Sequence, residues 1–375
     1  MTNIVILGAG MVGRAIACDL AQQHAVTCVD DNADALQLAA SRANVRTLLQ
    51  DVTEANALRQ LLKDADLVVN ATPGHIGFAV LQTVIDAGRH IVDISFFPED
   101  ALALDAAARQ RGVTAIVDMG VAPGMGNILL GHHDQTMQVQ RFECLVGGLP
   151  KQRRWPFQYK APFSPVDVIE EYLRPARLMV NGRVVTRAAL SDCEFVEFPE
   201  VGTLEAFNTD GLRSLLSTMG HIPDMTEKTL RYPGHVQLIQ ALQQSGFFAH
   251  EPIVVGNATV TPLAFTSAVL KDQWTLAQGE AEFTVMRVTI SGLEAGQART
   301  YRYHLYDEYD PASDTSSMAR TTGYACTAAV NLILDGVFCE HGVFAPELIG
   351  QHDNCFDYLM RYLVQRHVYY RRETS

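Results

Sequence analysis

The residues best suited to chemistry stand at the start of the chain. Gly8-Ala9-Gly10-Met11-Val12-Gly13 follows the apolar run Ile4-Val5-Ile6-Leu7 and leads into a small-residue amphipathic stretch at 14–23. A G-x-G-x-x-G turn between a strand and a helix is suited to the pyrophosphate of a dinucleotide. The first glycine allows the tight turn, the second lets phosphates approach the backbone, and the third lets helix and strand pack closely. The helix beginning at Met11 and Val12 offers unpaired N–H donors to those phosphates. A second strand at 26–29 closes on Asp30, whose carboxylate can accept from the adenosine ribose hydroxyls. Asp30 and Asp31 would repel an added 2′-phosphate, and no Arg or Lys follows before Arg42, so NAD is the expected cofactor. Asp30-Asp31-Asn32 is also good turn chemistry, so a plain solvated turn is the competing reading.

A sheet must hold these residues. Helices are expected at 33–42, 55–62, 76–87 and 98–111, alternating with strands at 45–49, 67–70, 90–93 and 114–117. That alternation defines an α/β fold with a doubly wound parallel sheet. Ligands of such sheets lie at the carboxyl ends of the strands. The rule adds Asp51, Ala71-Thr72-Pro73, Ser95 after Ile94, and Met119-Gly120 after Asp118 to the cofactor-binding residues. Asp51 either accepts from the adenine amino group or caps the helix that Asp-Val-Thr-Glu begins.

The glycine-rich segment 120–127 launches a helix away from this sheet. Strands are then expected at 142–146, 177–180, 184–185, 194–198, 254–261, 280–292 and 298–307, with Gly182 at a hairpin turn. Helices at 165–172, 211–219 and 235–245 would cover one face, and a strong helix at 316–334 would carry the chain back. The expected organisation is a split Rossmann domain, 1–122 plus 316–375, with an inserted α+β substrate-binding and dimerisation domain at 123–315.

With 48% hydrophobic and 19% charged residues in 375, the chain has the composition of a folded globular protein. A net charge of −13 argues against nucleic acid or an anionic membrane as partner. The seven cysteines form no C-x-x-C pair and read as buried thiols of a reducing compartment. No signal-like segment and no apolar run of about eighteen residues is visible, so a cytoplasmic location is expected. Adjacent His132 and His133 point in different directions on a helix or strand, and no metal site is expected.

Several motifs then carry a resemblance. Gly147-Gly148-Leu149-Pro150, Tyr159-Lys160 with Phe163-Ser164, Lys228-Thr229-Leu230-Arg231-Tyr232-Pro233-Gly234-His235, and Ser317-Met318-Ala319-Arg320-Thr321-Thr322-Gly323-Tyr324 resemble the saccharopine dehydrogenase-like family in order and spacing. Within it, Val168-Ile169-Glu170-Glu171-Tyr172 and 202–211 are most similar to the lysine 6-dehydrogenase branch. The resemblance implies NAD-dependent oxidative deamination of the ε-amino group of L-lysine, giving ammonia and an aldehyde that cyclises. It also implies that Arg231 binds the substrate carboxylate, with Tyr159, Asn208 and Gly148 on the substrate side. An internal salt bridge is the alternative for Arg231. Saccharopine-forming reductases carry an Asp and a Cys where this chain has Ala122 and Val146, and losing both polar partners favours a smaller amine.

Hydride removal from a carbon bearing nitrogen requires a neutral amine, so a base must first take a proton. Lys160 and His235 are the candidate bases, while Asp93 and Asp118 could hold the ammonium. Thr321-Thr322 either cap the returning helix or approach the nicotinamide ribose. The small-molecule substrate would be an amino acid, and a homodimer is the expected assembly. The alternatives are a carbon–nitrogen bond-forming reductase of the saccharopine or carboxynorspermidine type, and an NAD-binding sensor without turnover.

Overall fold

The computed structural model describes residues 1–161 and 165–375, with the backbone alone at 165–167. Phe163 and Ser164 lie outside the described residues. The first six strands, β1 (Asn3–Leu7), β2 (Ala25–Asp30), β3 (Arg46–Leu49), β4 (Leu67–Asn70), β5 (His90–Asp93) and β6 (Thr114–Ile116), come in chain order. Helices α1 (Met11–Leu20), α2 (Ala33–Arg42), α3 (Ala55–Leu61), α4 (Gly74–Asp86) and α5 (Asp105–Arg111) connect them. The apolar runs of β1 and β4 are buried on both faces, as a sheet covered by helices on each side requires. The doubly wound parallel sheet expected from the sequence is present.

After α6 (Met125–Asp134) comes a second, mixed sheet. Its strands are β7 (Met137–Pro150), β8 (Ala176–Val180), β9 (Arg183–Arg187), β10 (Glu194–Phe198), β11 (Gly202–Asn208) and β12 (Asp224–Arg231), followed by a separate hairpin β13 (Ile253–Val255) and β14 (Ala258–Val260). The long pair β15 (Glu282–Glu294) and β16 (Gln297–Glu308) completes its centre. Helices α7 (Pro165–Leu173), α8 (Leu215–Thr218), α9 (His235–Gln244) and α10 (Pro262–Trp274) accompany these strands, and α11 (Ser317–Leu334) follows. β17 (Gly342–Phe344) joins the parallel sheet and β18 (Arg371–Thr374) the mixed one.

The parallel order is β17-β6-β5-β4-β1-β2-β3, which reverses direction between β1 and β4. The nine-stranded mixed sheet runs β10-β11-β12-β7-β15-β16-β18, with β12 and β7 parallel and β8 and β9 attached to one side. Three expectations need correction. The strand at 254–261 is the hairpin β13–β14 and the helix at 211–219 shrinks to Leu215–Thr218. The last residues of the 316–375 segment pair with β16, so they leave the nucleotide-binding layer.

Helix α11 is docked on α1 through Asp19. The Thr327 hydroxyl donates to Asp19 at 2.6 Å, and Arg366 Nε donates to the same carboxylate at 2.8 Å. Gly323 allows the approach, since a Cβ there would already touch Ile16 and Ala15. This anchoring brings Met318 and Thr322 to the strand ends of the parallel sheet. Among the described residues no helix is long and apolar enough to cross a membrane.

Candidate active site

A cleft of about 390 Å³ lies between the carboxyl ends of the parallel strands and the mixed sheet. Gly8, Gly10, Met11, Val12, Gly13, Asp30, Ala71, Thr72, Pro73, Ser95 and Gly120 all line it. The three glycines differ in role. Gly8 has φ 104°, in the left-handed region, and a Cβ on it would collide with the Ala71 carbonyl. A Cβ on Gly13 would collide with the Gly8 carbonyl, so strand and helix touch there. Around Gly10 nothing lies within 4 Å of where a Cβ would stand, so this backbone is open to a ligand. Gly10 also caps α1 with no side-chain hydrogen bond, which leaves the first-turn amides available. A pyrophosphate fits this cradle.

Asp30 Oδ2 accepts from the Ala9 amide at 2.6 Å and Oδ1 from the Asn32 amide at 2.9 Å. Its carboxylate is thereby fixed beside the glycine turn, with lone pairs remaining for a ribose. Asp51 does not line the cleft. It accepts from the Thr53 amide at 2.8 Å and hydroxyl at 2.7 Å, which closes a turn ahead of α3, and the cap of that helix is Glu54. Met119 is fully buried in the core behind the cleft, where an apolar side chain belongs.

Asp93 also lies away from the cleft. Its carboxylate accepts from Asn70 Nδ2 at 2.6 Å and from the Ser95 amide at 2.7 Å, and burial pushes its pKa up to about 8. Asn70 Oδ1 accepts in turn from the Thr72 hydroxyl at 2.7 Å, so Asp93 fixes the two strand ends that bear Thr72 and Ser95. Asp118 reaches the cleft, but both its oxygens accept from Arg213 Nε at 2.8–2.9 Å.

The opposite wall comes from the mixed sheet. Val146, Gly147 and Gly148 of β7, Thr209-Asp210-Gly211 after β11, and Glu227, Thr229 and Arg231 of β12 line it, with Glu171 and Arg174 from the region of α7. Alternate residues of a strand share one face, so Glu227, Thr229 and Arg231 project together. Arg231 is 3% exposed. Its Nε donates to the Tyr172 hydroxyl at 3.0 Å, and its terminal nitrogens donate to the Leu230 carbonyl at 2.9 Å, Tyr159 hydroxyl at 3.3 Å and Glu171 carboxylate at 3.4 Å. The ring of Tyr159 lies 4.4 Å from the guanidinium carbon, and Tyr159 itself stays behind the wall.

Neither expected base reaches the cleft. Lys160 Nζ donates to the Thr275 carbonyl at 3.1 Å. His235 is buried, with Nδ1 against the Phe157 carbonyl and Nε2 against the Tyr172 hydroxyl, each at 2.9 Å. Burial, reinforced by Arg231, holds its pKa down at about 3, and the ring is neutral. Asn208 points away as well, donating to Ser191 at 3.1 Å and Asp192 at 2.7 Å. Thr321 is inside α11, where its hydroxyl donates to the Ser317 carbonyl at 2.9 Å, and Ser316 is the cap; Thr322 lines the cleft.

Glu227 is the residue that the sequence reading missed. It is 7% exposed and burial pushes its carboxyl up to about 8, against hydrogen bonds from Thr209 and the Gly211 amide. Its signal was available as the two-residue spacing to Thr229 and Arg231. Among the described residues no group of His, Cys, Asp or Glu is arranged to hold a metal ion.

A dinucleotide cradle facing a mixed sheet across one cleft defines a two-domain NAD(P)-binding dehydrogenase. The chain matches the saccharopine dehydrogenase NADP binding domain over residues 4–116 and the saccharopine dehydrogenase C-terminal domain over residues 120–368. It therefore belongs to the saccharopine dehydrogenase family.

A saccharopine dehydrogenase [NADP(+), L-glutamate-forming] from Pyricularia oryzae is 22% identical, with 92% of this chain and 93% of the relative covered. A carboxyaminopropylagmatine dehydrogenase from Synechocystis is 23% identical, with 92% of each covered. The chain spans only 22% of the alpha-aminoadipic semialdehyde synthase of Arabidopsis thaliana, at 24% identity over 58% of this chain. Among solved structures, apo saccharopine dehydrogenase (L-Glu forming) from Saccharomyces cerevisiae shares the fold, with a TM-score of 0.81, 20% identity and full coverage of both chains.

Proposed function

We propose that this protein oxidatively deaminates the terminal amine of L-lysine or a close diamino acid with NAD, in the manner of a lysine 6-dehydrogenase. The observation that carries the reading is the mixed charge on one wall of the cleft. Arg231 offers a guanidinium to a carboxylate, with Glu171 as its ion-pair partner, while Glu227 offers a carboxyl group to an amine. An α-amino acid with a second amine carries the complementary set. Ala122 and Val146 both line the cleft, so the polar partners that saccharopine-forming reductases have there are replaced by apolar surface on the cleft itself.

Bound NAD would supply a hydride acceptor. The amides of the first turn of α1 and the backbone at Gly10 would hold its pyrophosphate, and Asp30 its adenosine ribose. Asp30 supports NAD, because a 2′-phosphate would stand beside a carboxylate fixed by two amides. Arg231 would orient the substrate carboxylate while the apolar surface of Val121, Ala122 and Val146 limits water around the reacting carbon.

A second reading is a dehydrogenase of a secondary amine. The near-full-length similarity to the saccharopine and carboxyaminopropylagmatine dehydrogenases supports it. The two are separated by following NADH formation with L-lysine, ornithine or saccharopine, each with NAD and with NADP. Lysine-dependent NADH with release of ammonia is expected; turnover of saccharopine alone, or with NADP alone, contradicts the proposal. Homodimerisation is part of the same reading, and sedimentation as a single 41.2 kDa chain would remove it.

A further inference from the structure

We propose that Glu227 is the proton acceptor for the substrate ammonium, with Thr209, Thr229 and Gly211 as the residues that place and orient it. The inference deepens the deamination reading and rests on it. Lys160 and His235, the bases expected from the sequence, have their nitrogens committed outside the cleft, whereas Glu227 lines it.

The geometry around Glu227 is built for a carboxylate. The Thr209 hydroxyl donates to Oε2 at 2.8 Å and lies 2.9 Å from the Thr229 hydroxyl. Thr209 has one proton; when that proton goes to an ionised Glu227, the Thr229 hydroxyl must donate to Thr209. Thr229, also on the cleft, then presents acceptor lone pairs beside the carboxylate. Gly211 makes the room, because a Cβ at that position would collide with Glu227 Oε2. The charged or titratable groups around Glu227 are Glu171 and Arg174 from the α7 region, Asp210 paired with Arg177, Arg231 on the same strand, and Cys144 opposite it on β7. Glu171 and Asp210 add to the burial that raises its pKa to about 8.

The ionised carboxylate takes one proton from R–CH2–NH3+, leaving the neutral amine, and bound NAD would accept the hydride from the carbon that bears it. The resulting R–CH=NH2+ adds water and expels ammonium, giving the aldehyde, and Glu227 returns its proton to solvent.

The test compares wild type with E227Q and T209V, using NADH fluorescence to verify folding and dinucleotide binding. E227Q should lose about 10²–10⁴-fold in kcat/KM for L-lysine, the range for a missing general base. The acid limb of kcat/KM, expected near pH 8, should vanish in E227Q and move upward in T209V, since the lost hydrogen bond favours the ionised form. A second readout needs no turnover. Titrating L-lysine into cofactor-free protein at pH 7, in buffers of different ionisation enthalpy, should show close to one proton released per site in wild type and none in E227Q. Wild-type turnover with an unaltered pH profile and proton release in E227Q overturns the assignment alone. Neither turnover nor proton release in wild type overturns the deamination reading and the assignment together.

Discussion

The hydroxyl of Tyr172 accepts from Arg231 Nε at 3.0 Å, and this one contact sets the direction of a buried relay. Because an arginine only donates, the tyrosine proton is free to point at His235 Nε2, 2.9 Å away. The imidazole must then carry its own proton on Nδ1, which donates to the Phe157 carbonyl. Arg231 is therefore held from behind by a tyrosine and a neutral histidine, with Tyr159 against its face.

Removing the middle of that relay should loosen the guanidinium without deleting it. Y172F leaves Arg231 Nε and His235 Nε2 without their partner, at a cost of about 1–3 kcal/mol in stability. The KM for L-lysine should rise more than kcat falls. Denaturant unfolding and steady-state kinetics on the same preparation check both.

His235 gives a pH signature in stability. Its pKa in the folded protein, about 3, lies below the ordinary value of 6.5, so the unfolded chain binds the extra proton first as pH falls. The stability associated with the neutral ring is present above pH 6.5 and lost as the pH descends toward 3. Between pH 7 and 4.5 wild type should lose about 2–3 kcal/mol through this residue, a loss that H235Q lacks. Urea unfolding at the two pH values measures it, and the alkaline activity profile of H235Q should keep its shape.

Lys160 should be dispensable for chemistry. Its ammonium serves the Thr275 carbonyl outside the cleft, so K160M is expected to stay within roughly twofold of wild-type kcat, as substitutions away from a site usually do. Initial rates at saturating substrate decide it.

The glycine turn separates ligand approach from packing. G10A puts a methyl group into open space, so it should leave the melting temperature nearly unchanged while weakening dinucleotide binding about tenfold or more. G13A forces a methyl group onto the Gly8 carbonyl and should destabilise the fold by about 1–3 kcal/mol. Thermal melts with and without NADH distinguish the two.

The nucleotide-binding half was legible because its chemistry sits on backbone geometry. Gly8, Gly10 and Gly13 declare a turn, and the β1 and β4 strands are apolar on both faces, so spacing and composition agree. The substrate half was legible only in part. β11 and β12 turn polar side chains such as Glu205, Glu227 and Thr229 inward, and a polar face beside a cleft erases the hydrophobic alternation by which strands are recognised. His235 sits in a conspicuous segment, yet strand pairing and the burial of α9 place its ring behind Tyr172, which no local pattern encodes. Asp51 fills neither expected role: its hydrogen bonds to Thr53 close a local turn ahead of α3, whose cap is Glu54.

The most direct test of oxidative deamination follows the nitrogen. With L-lysine labelled with 15N at the ε position and NAD in excess, labelled ammonia should appear one for one with NADH. Label retained in the organic product, or ammonia drawn from the α position, would contradict it.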